Sequence, residues 1–510
     1  MKKIFAVVLS LALVLSFTAV AFAAESTPTE HTYKAYQIFK GTLDSSTNEL
    51  KDITWGSGID STNFLAALQA DTTFGDTFDD CETAAEVAAI LSGNVGSGGW
   101  ADKSDNAKLF ARLAFRNKTG DGTAVSSGDT SLAAGYYLVV DTTEFENDDE
   151  TGTYRNLALL QMTGNGTFDI EQKTSVPTLQ KKVKDINDST ETEPTGWQDS
   201  ADYDIGDTIP FQITATLGDD IAEYETYKLV FHDTGCEGLK VNDESFEVSI
   251  DGKAALDKSK YSADVDEDGI NFTVTINDVI AEGATADSVI TVYYEAELTE
   301  DADIGLPGNP NEAYLEYSSN PNYISETLTP NEDEEFGKTP EDKVIVFTYQ
   351  VDVTKLEKVD GVDTDLNGAG FTLYKEVGED NWIPVGEEIV NEEGNTFNWA
   401  GIDDGNYKLV ETTVPEGYAE MDDLLFTVTA THDEESDEPT LTDLGGGDKF
   451  SGAVDTGILT GNIYNNRKGA ILPETGGIGT KIFYGAGSVL VAGAAILLIT
   501  KKRMKSEVAE

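Results

Sequence analysis

Ser288-Val289-Ile290-Thr291-Val292-Tyr293-Tyr294 is the stretch on which the fold class turns. β-branched and aromatic residues fill it, and in an extended chain they point alternately to two faces, one buried and one wet. Similar runs recur at Thr273-Val274-Thr275-Ile276 and Phe371-Thr372-Leu373-Tyr374, with Gly, Asn, Asp and Pro between runs, which is how half-buried antiparallel strands read. Helical periodicity is confined mostly to the first third, at Asn63–Leu68, Thr83–Leu91 and Asn106–Arg116. The expectation is a mostly β chain of tandem sandwich domains, the first carrying short helical insertions.

Two boundaries divide it. Gln172-Lys173-Thr174-Ser175-Val176-Pro177 follows an alternating strand, Thr167–Ile170, and contains a proline that cannot donate to a central ladder. The acidic stretch from Asn320 to Asp342 precedes another alternating strand, Val344–Val353. Modules are expected at 24–173, 174–346 and 347–468. Asp264, Asp266, Asp268 and Gly269 imitate the start of a calcium loop, but the twelfth position is Thr275, so an acidic hairpin turn is the better reading.

The chain has 510 residues, with 34 Lys plus Arg against 94 Asp plus Glu, a net charge of −60. That excess disfavours nucleic acid or an anionic membrane surface as partner. Cys81, Cys236, His31, His232 and His432 are scattered singly and offer no disulfide framework or Cys/His metal cluster, so neither metal nor cofactor is expected. Met1-Lys2-Lys3, the apolar run to Phe22 and Ala21-Phe22-Ala23 form a secretory signal over residues 1–23. Ile482–Thr500 has the length of a membrane-spanning helix, and the basic tail 501–510 that follows places that end in the cytoplasm.

Just ahead of that span stands Leu472-Pro473-Glu474-Thr475-Gly476. Pentapeptide, apolar span and basic tail in this order resemble the cell-wall sorting signal of Gram-positive surface proteins. The resemblance implies that a sortase cleaves between Thr475 and Gly476 and joins the Thr475 carboxyl to an amine of peptidoglycan or of another subunit. The mature chain would then run from Ala24 to Thr475, with 27 basic against 92 acidic residues and a net charge near −65.

Three polar residues fall on apolar strand faces in the third module. Lys355 shares the face of Val351 and Val353, Glu411 that of Tyr407 and Leu409, and Asn465 that of Ile463. Lys355, the run Asn367–Tyr374 and the Glu411 segment together resemble a collagen-adhesin B-type domain, the last of these resembling the "E box" of pilins. Such domains form an intramolecular isopeptide bond between a first-strand Lys and a last-strand Asn, assisted by a buried acid. The resemblance assigns these roles to Lys355, Asn465 and Glu411, with Asn466 a competitor for Asn465. An apolar site lowers a lysine pKa and raises that of a carboxylic acid, so a neutral amine can attack while the protonated acid polarises the amide.

In the second module, Pro177–Val183, Lys228–Thr234 and Asn309–Tyr317 resemble the collagen-adhesin A-like second domain of major pilins. Carried over, Lys181 is the amine, Asp233 the acid and Asn311 the amide, with Lys182 and Asn309 as alternatives. Phe168–Lys173 has the placement of the pilin motif, which supplies the lysine that accepts the next subunit. It lacks the usual Tyr-Pro ahead and Asn behind; Lys173 is the first choice, Lys181 or Lys182 the fallback. The first module resembles N-terminal pilin domains; Lys34 and Asp141 stand out there, without an Asn partner.

The resemblance as a whole is to sortase-assembled major pilins built of tandem Ig-like (collagen-adhesin A/B-type) sandwiches. It implies a wall-anchored, secreted structural subunit whose partners are sortase, identical subunits and peptidoglycan, besides accessory pilins and host surface ligands. The alternative is a tip pilin or adhesin that binds a host ligand and needs no acceptor lysine. A hydrolase has little support, since no nucleophile elbow or zinc motif is present.

Overall fold

The computed structural model describes residues 31–44, 49–93, 104–127, 132–145, 151–163, 175–190, 194–323, 335–378 and 380–468. The signal segment, Thr167–Ile170, Lys173, the 472–476 pentapeptide and the 482–500 span lie outside them. No helix among the described residues is long and apolar enough to cross a membrane.

The first domain is a sheet in the order β2-β1-β4-β5, made of β1 (Tyr33–Asp44), β2 (Glu49–Trp55), β4 (Gly135–Asp141) and β5 (Leu159–Thr163), with β3 (Thr123–Val125) also on β1. Three helices pack against it: α1 (Ser61–Ala70), α2 (Ala84–Gly93) and α3 (Asp105–Arg116). They coincide with the periodic segments read above. Ser104 caps α3 by accepting from the Ala107 amide, and Phe110, Leu113 and Ala114 bury one side of that helix.

The second domain is a sandwich of two sheets. One has the order β10 (Leu239–Val241), β14 (Val289–Leu298), β8 (Thr208–Thr216), β6 (Thr178–Val183), with β11 (Glu247–Ile250) also on β14. The other runs β12 (Ser262–Val265), β13 (Asn271–Ile276), β9 (Leu229–Thr234), β15 (Asn309–Ser318), β17 (Asp342–Phe347), β7 (Ser200–Asp202), with β16 (Phe336–Lys338) also on β15. The alternation of β14 sends Ile290, Val292, Tyr294, Ala296 and Leu298 inward. Asp264–Gly269 belongs to the hairpin of β12 and β13, where Asp266 accepts from the Ile270 amide.

In the third domain, strands from β18 (Tyr349–Val359) to β28 (Ile458–Tyr464) wrap one core in the order β19-β18-β28-β27-β26-β25-β24-β20-β21. The intervening strands are β19 (Val362–Asp365), β20 (Ala369–Glu376), β21 (Trp382–Pro384), β22 (Ile389–Asn391), β23 (Thr396–Ile402), β24 (Gly405–Thr413), β25 (Leu424–His432), β26 (Leu441–Gly446) and β27 (Phe450–Ala453). β22 lies on β20 and β23 on β18. First and last strands of the domain, β18 and β28, are parallel neighbours with Lys355 opposite Ile463.

The stretch Val344–Val353 is two strands rather than one. β17 still belongs to the second domain's sheet, and its alternate residues serve two cores: Val344 and Val346 face the second, Ile345 and Phe347 the third. The acidic segment before it contains β16, and Glu335 beside that strand pairs with Arg155 of the first domain. Arg112, buried in α3, donates to the carbonyls of Glu223 and Pro321 across the same joint. Tertiary pairing therefore recruits a segment that composition alone marks as a connector.

At the second joint, Gly305 and Gly457 meet back to back with φ of +71° and +66°. A Cβ on Gly457 would lie 2.4 Å from the Gly305 Cα. Gly457→Ala should therefore push the second and third domains apart and cost about 1–3 kcal/mol. Calorimetric unfolding of the variant checks this; an unchanged profile would mean the joint yields freely.

Candidate functional site

Period-two alternation places Lys355 at full burial on β18, and Glu411 and Asn465 are buried with it. Lys355 Nζ lies 2.6 Å from Asn465 Oδ1 and 3.1 Å from Glu411 Oε1. The Asn465 amide nitrogen donates to both Glu411 oxygens, at 2.7 and 2.9 Å, and the Met421 backbone amide donates to Oε2 at 3.0 Å. The Phe371 ring centroid is 4.9 Å from the amine. Burial pushes the Lys355 amine below the ordinary lysine range, against the pull of Glu411. Asn466 is exposed on the opposite side, its carbonyl accepting from Ala419. The register thus brings Asn465, and not its neighbour, to the amine.

The second cluster spans the two sheets of the middle domain. Lys181 projects from β6; Asp233 on β9 and Asn311 on β15 come from the facing sheet, where Asp233 pairs with Ala313, two residues along the same face from Asn311. All three are buried. Lys181 Nζ hydrogen-bonds Asp233 Oδ2 and lies 2.8 Å from the Tyr294 hydroxyl. Tyr294 also donates to Asp233 Oδ2 at 3.0 Å and accepts from the Asn311 amide nitrogen at 2.8 Å. Desolvation drives the Lys181 amine down and the Asp233 carboxyl up, each opposed by the other's charge. Both shifts favour a neutral pair.

Lys182 points to the other side and pairs with Asp199, while Asn309 ties Asp303 to the Val346 carbonyl as a loop brace. Neither reaches the cluster. Tyr294, the hub of these contacts, sits in the very strand that decides the fold class; its hydroxyl carries no sequence signal that separates it from other strand tyrosines.

A third buried lysine escaped the sequence reading. Lys375 on β20 shares the face of Phe371 and Leu373, a pattern like that of Lys355. Its ammonium sits 2.7 Å from Asp188 Oδ1, 2.6 Å from Asp204 Oδ2 and 2.5 Å from Asp403 Oδ1, binding second domain to third. Burial pulls its pKa down, but Asp403, Asp204 and Asp188 together outweigh that and hold it above the ordinary range. With three carboxylates around it, this lysine stays a cation.

In the first domain the buried Asp141 faces no lysine among the described residues. It accepts from Asn156 Nδ2 at 3.0 Å, from the Asn156 amide at 2.9 Å and from Thr143 Oγ1 at 2.6 Å, and His31 Nδ1 lies 2.6 Å away. Carboxylate and amide are assembled here around an imidazole instead of an amine.

A family model described as a SpaA prealbumin-like fold domain matches residues 352–443. The trypsin-resistant surface T6 protein of Streptococcus pyogenes serotype M6 is 25% identical over 390 residues, covering 65% of this chain and 70% of that protein. The solved T6 backbone pilin of that serotype, described as a modular three-domain structure decorated with variable loops and extensions, matches with a TM-score of 0.52 at 17% identity. The match covers 86% of this chain and 96% of that one. The full-length major pilin SpaD from Corynebacterium diphtheriae matches with a TM-score of 0.43 at 16% identity, over 86% and 93% of the two chains. The chain thus has the three-domain fold of the T6 backbone pilin, and a SpaA-type prealbumin-like domain is its third.

Burial alone would raise the Asp141 pKa, but the bonds from His31, Thr143 and Asn156 prevail and lower it from 3.8 to about 2. A depressed carboxylate pKa stabilises the fold above the unfolded value and loses that contribution as pH falls through the folded one. The first domain should therefore lose about 2 kcal/mol between about pH 4 and pH 2. Asp141→Asn should flatten that part of its stability profile in acid titrations followed by circular dichroism.

Proposed function

We propose that this chain is the structural backbone subunit of a covalent cell-surface pilus, stiffened by two intramolecular isopeptide bonds, Lys355 to Asn465 and Lys181 to Asn311. One observation carries the cross-link reading: a fully buried amine 2.6 Å from an amide oxygen, with one carboxylate contacting both groups. A buried ammonium is costly, and amide formation removes that cost permanently. The neutral Lys355 amine attacks the Asn465 amide carbon; a C–N bond forms, Nδ2 leaves as ammonia, and Glu411 carries the amine's proton to the departing nitrogen. Asp233 has the same role between Lys181 and Asn311, with the Tyr294 hydroxyl bridging acid and amide. Fixed orientation in a packed core supplies an effective concentration worth about 7–11 kcal/mol. The chemistry is a single turnover, so the protein is a substrate of sortase and no enzyme in the ordinary sense.

Assembly rests on the sequence motifs outside the described residues. Sortase would exchange the Thr475–Gly476 peptide bond for an amide between the Thr475 carboxyl and Lys173 of the next subunit, and the last such transfer would attach the fibre to peptidoglycan. The likeness to the T6 backbone pilin supports a surface homopolymer.

Intact mass is the test. Each bond expels one ammonia, so the exported chain should weigh about 34 Da less than its sequence, and Glu411→Ala should recover about 17 Da. An unshifted mass would overturn the cross-links. Lys173→Ala should abolish the high-molecular-weight ladder on cells; a ladder that persists would move the acceptor to another lysine.

A further inference from the structure

The joint between second and third domains gathers aspartates from both sides, and they fall into two groups. In one, Asp204 and Asp403 pair with the ammonium of Lys375, and Asp207 beside them lies within its Coulombic reach. The other group is Asp185 and Asp202 from the second domain with His432 at the end of β25 in the third, its ligand atoms lying within 4.8 Å of one another. Among the described residues no lysine or arginine forms an ion pair with Asp185, Asp202 or the adjoining Asp404.

Hydrogen bonding fixes how His432 faces this group. Ser200 Oγ donates to the Asp433 carbonyl at 2.6 Å, so it must accept from His432 Nδ1, 2.7 Å away. Nε2 is thereby turned toward Asp185 Oδ2 at 3.6 Å, longer than a hydrogen bond. Two ligands about 2.1 Å from a tetrahedral zinc ion stand about 3.4 Å apart, close to that spacing. Two buried polar atoms beside the group, Asp202 Oδ2 on a residue only 2% exposed and the fully buried hydroxyl of Tyr349, have no partner at full hydrogen-bond distance and interact only weakly with each other, with Asp404 and Asp185 in Coulombic reach of the hydroxyl. The Asp185 and His432 side chains are 15% and 9% exposed, which leaves a solvent approach.

We propose that Asp185, Asp202 and His432 bind a divalent transition-metal cation of the zinc class, which bridges the second and third domains. One imidazole with two carboxylates selects a borderline cation over calcium, which prefers an all-oxygen cage. The single histidines are too far apart in sequence for a spacing motif. Only the joint brings His432 to aspartates more than two hundred positions away.

The test uses the full-length chain, freed of metal by a chelator and titrated with zinc alone, then with calcium alone. About one zinc per chain should bind tightly, and at a hundred times Kd the apparent folding constant should rise about 100-fold. Asp202→Asn and His432→Gln should each abolish both effects while leaving circular dichroism unchanged. Because Asp202 is buried and its variant could misfold, Asp185→Asn provides a second test at a more accessible ligand. Zinc binding that survives all three substitutions, no zinc-dependent stabilisation of the unmodified chain, or binding of calcium in preference to zinc would each overturn the proposal.

Discussion

An amine buried among apolar side chains is the constraint around which the second and third domains are organised. In water a lysine is an ammonium; at the positions of Lys181 and Lys355 that charge has lost its solvent, and burial outweighs the attraction of the neighbouring acid. A full ion pair in such a place recovers its desolvation only with excellent geometry. Here the neighbours are one acid and one amide, so a single carboxylate is left to balance an ammonium that burial already disfavours. Lys375 shows the opposite solution with the same side chain. Three aspartates and no amide surround it, its charge is retained, and it serves as an electrostatic rivet between domains. Among these three buried lysines, the count of carboxylates around the amine decides whether it keeps its charge.

The strand order gives the two lysine–acid–amide clusters different mechanical meanings. β18 and β28 run parallel, so tension that enters at the start of one and leaves at the end of the other loads their hydrogen bonds in shear. A bond from Lys355 to Asn465 would carry the force straight across, leaving residues 356–464 outside its path. The middle domain is less complete in this respect. Asn311 stands near the start of β15, and β16 and β17 still follow before the chain enters the third domain. That downstream segment is also where the first domain grips the second, through Arg155 with Glu335 and through Asn322, whose side chain joins Ala158 and Asn156. Packing must therefore secure what a cross-link from Lys181 to Asn311 would leave exposed to load.

Much of this was legible in the sequence because a strand has a period of exactly two residues per face. A polar residue in phase with apolar ones is conspicuous, which is how Lys355, Glu411 and Asn465 stand out, and it is the register that separates Asn465 from Asn466 and Lys181 from Lys182. Lys375 has the same phase, but its three aspartates come from separate elements and leave no spacing in the sequence. The joint is a different case. Its aspartates lie in loops and strand ends near residues 185–207 and 403–404, and His432 lies further on, so no period or spacing links them. The division of Val344–Val353 into two strands was hidden because both halves alternate alike, and only the change of core between them marks the joint.

If Thr475 of one subunit is joined to Lys173 of the next, tension runs from residue 173 through the second and third domains to residue 475, and residues 31–163 hang beside it. A domain that carries no tension needs no covalent strap, and at the corresponding cluster Asp141 and Asn156 meet His31, whose imidazole cannot form a stable amide. The same reasoning would locate the weakest element of such a fibre. Within each domain that would bear the load a covalent bond is in reach, but among the described residues the joint between them is held by packing, hydrogen bonds and the pairing of Lys375 with its aspartates. In a chain of net charge −60, where cations are scarce, that joint is where positive charge matters most.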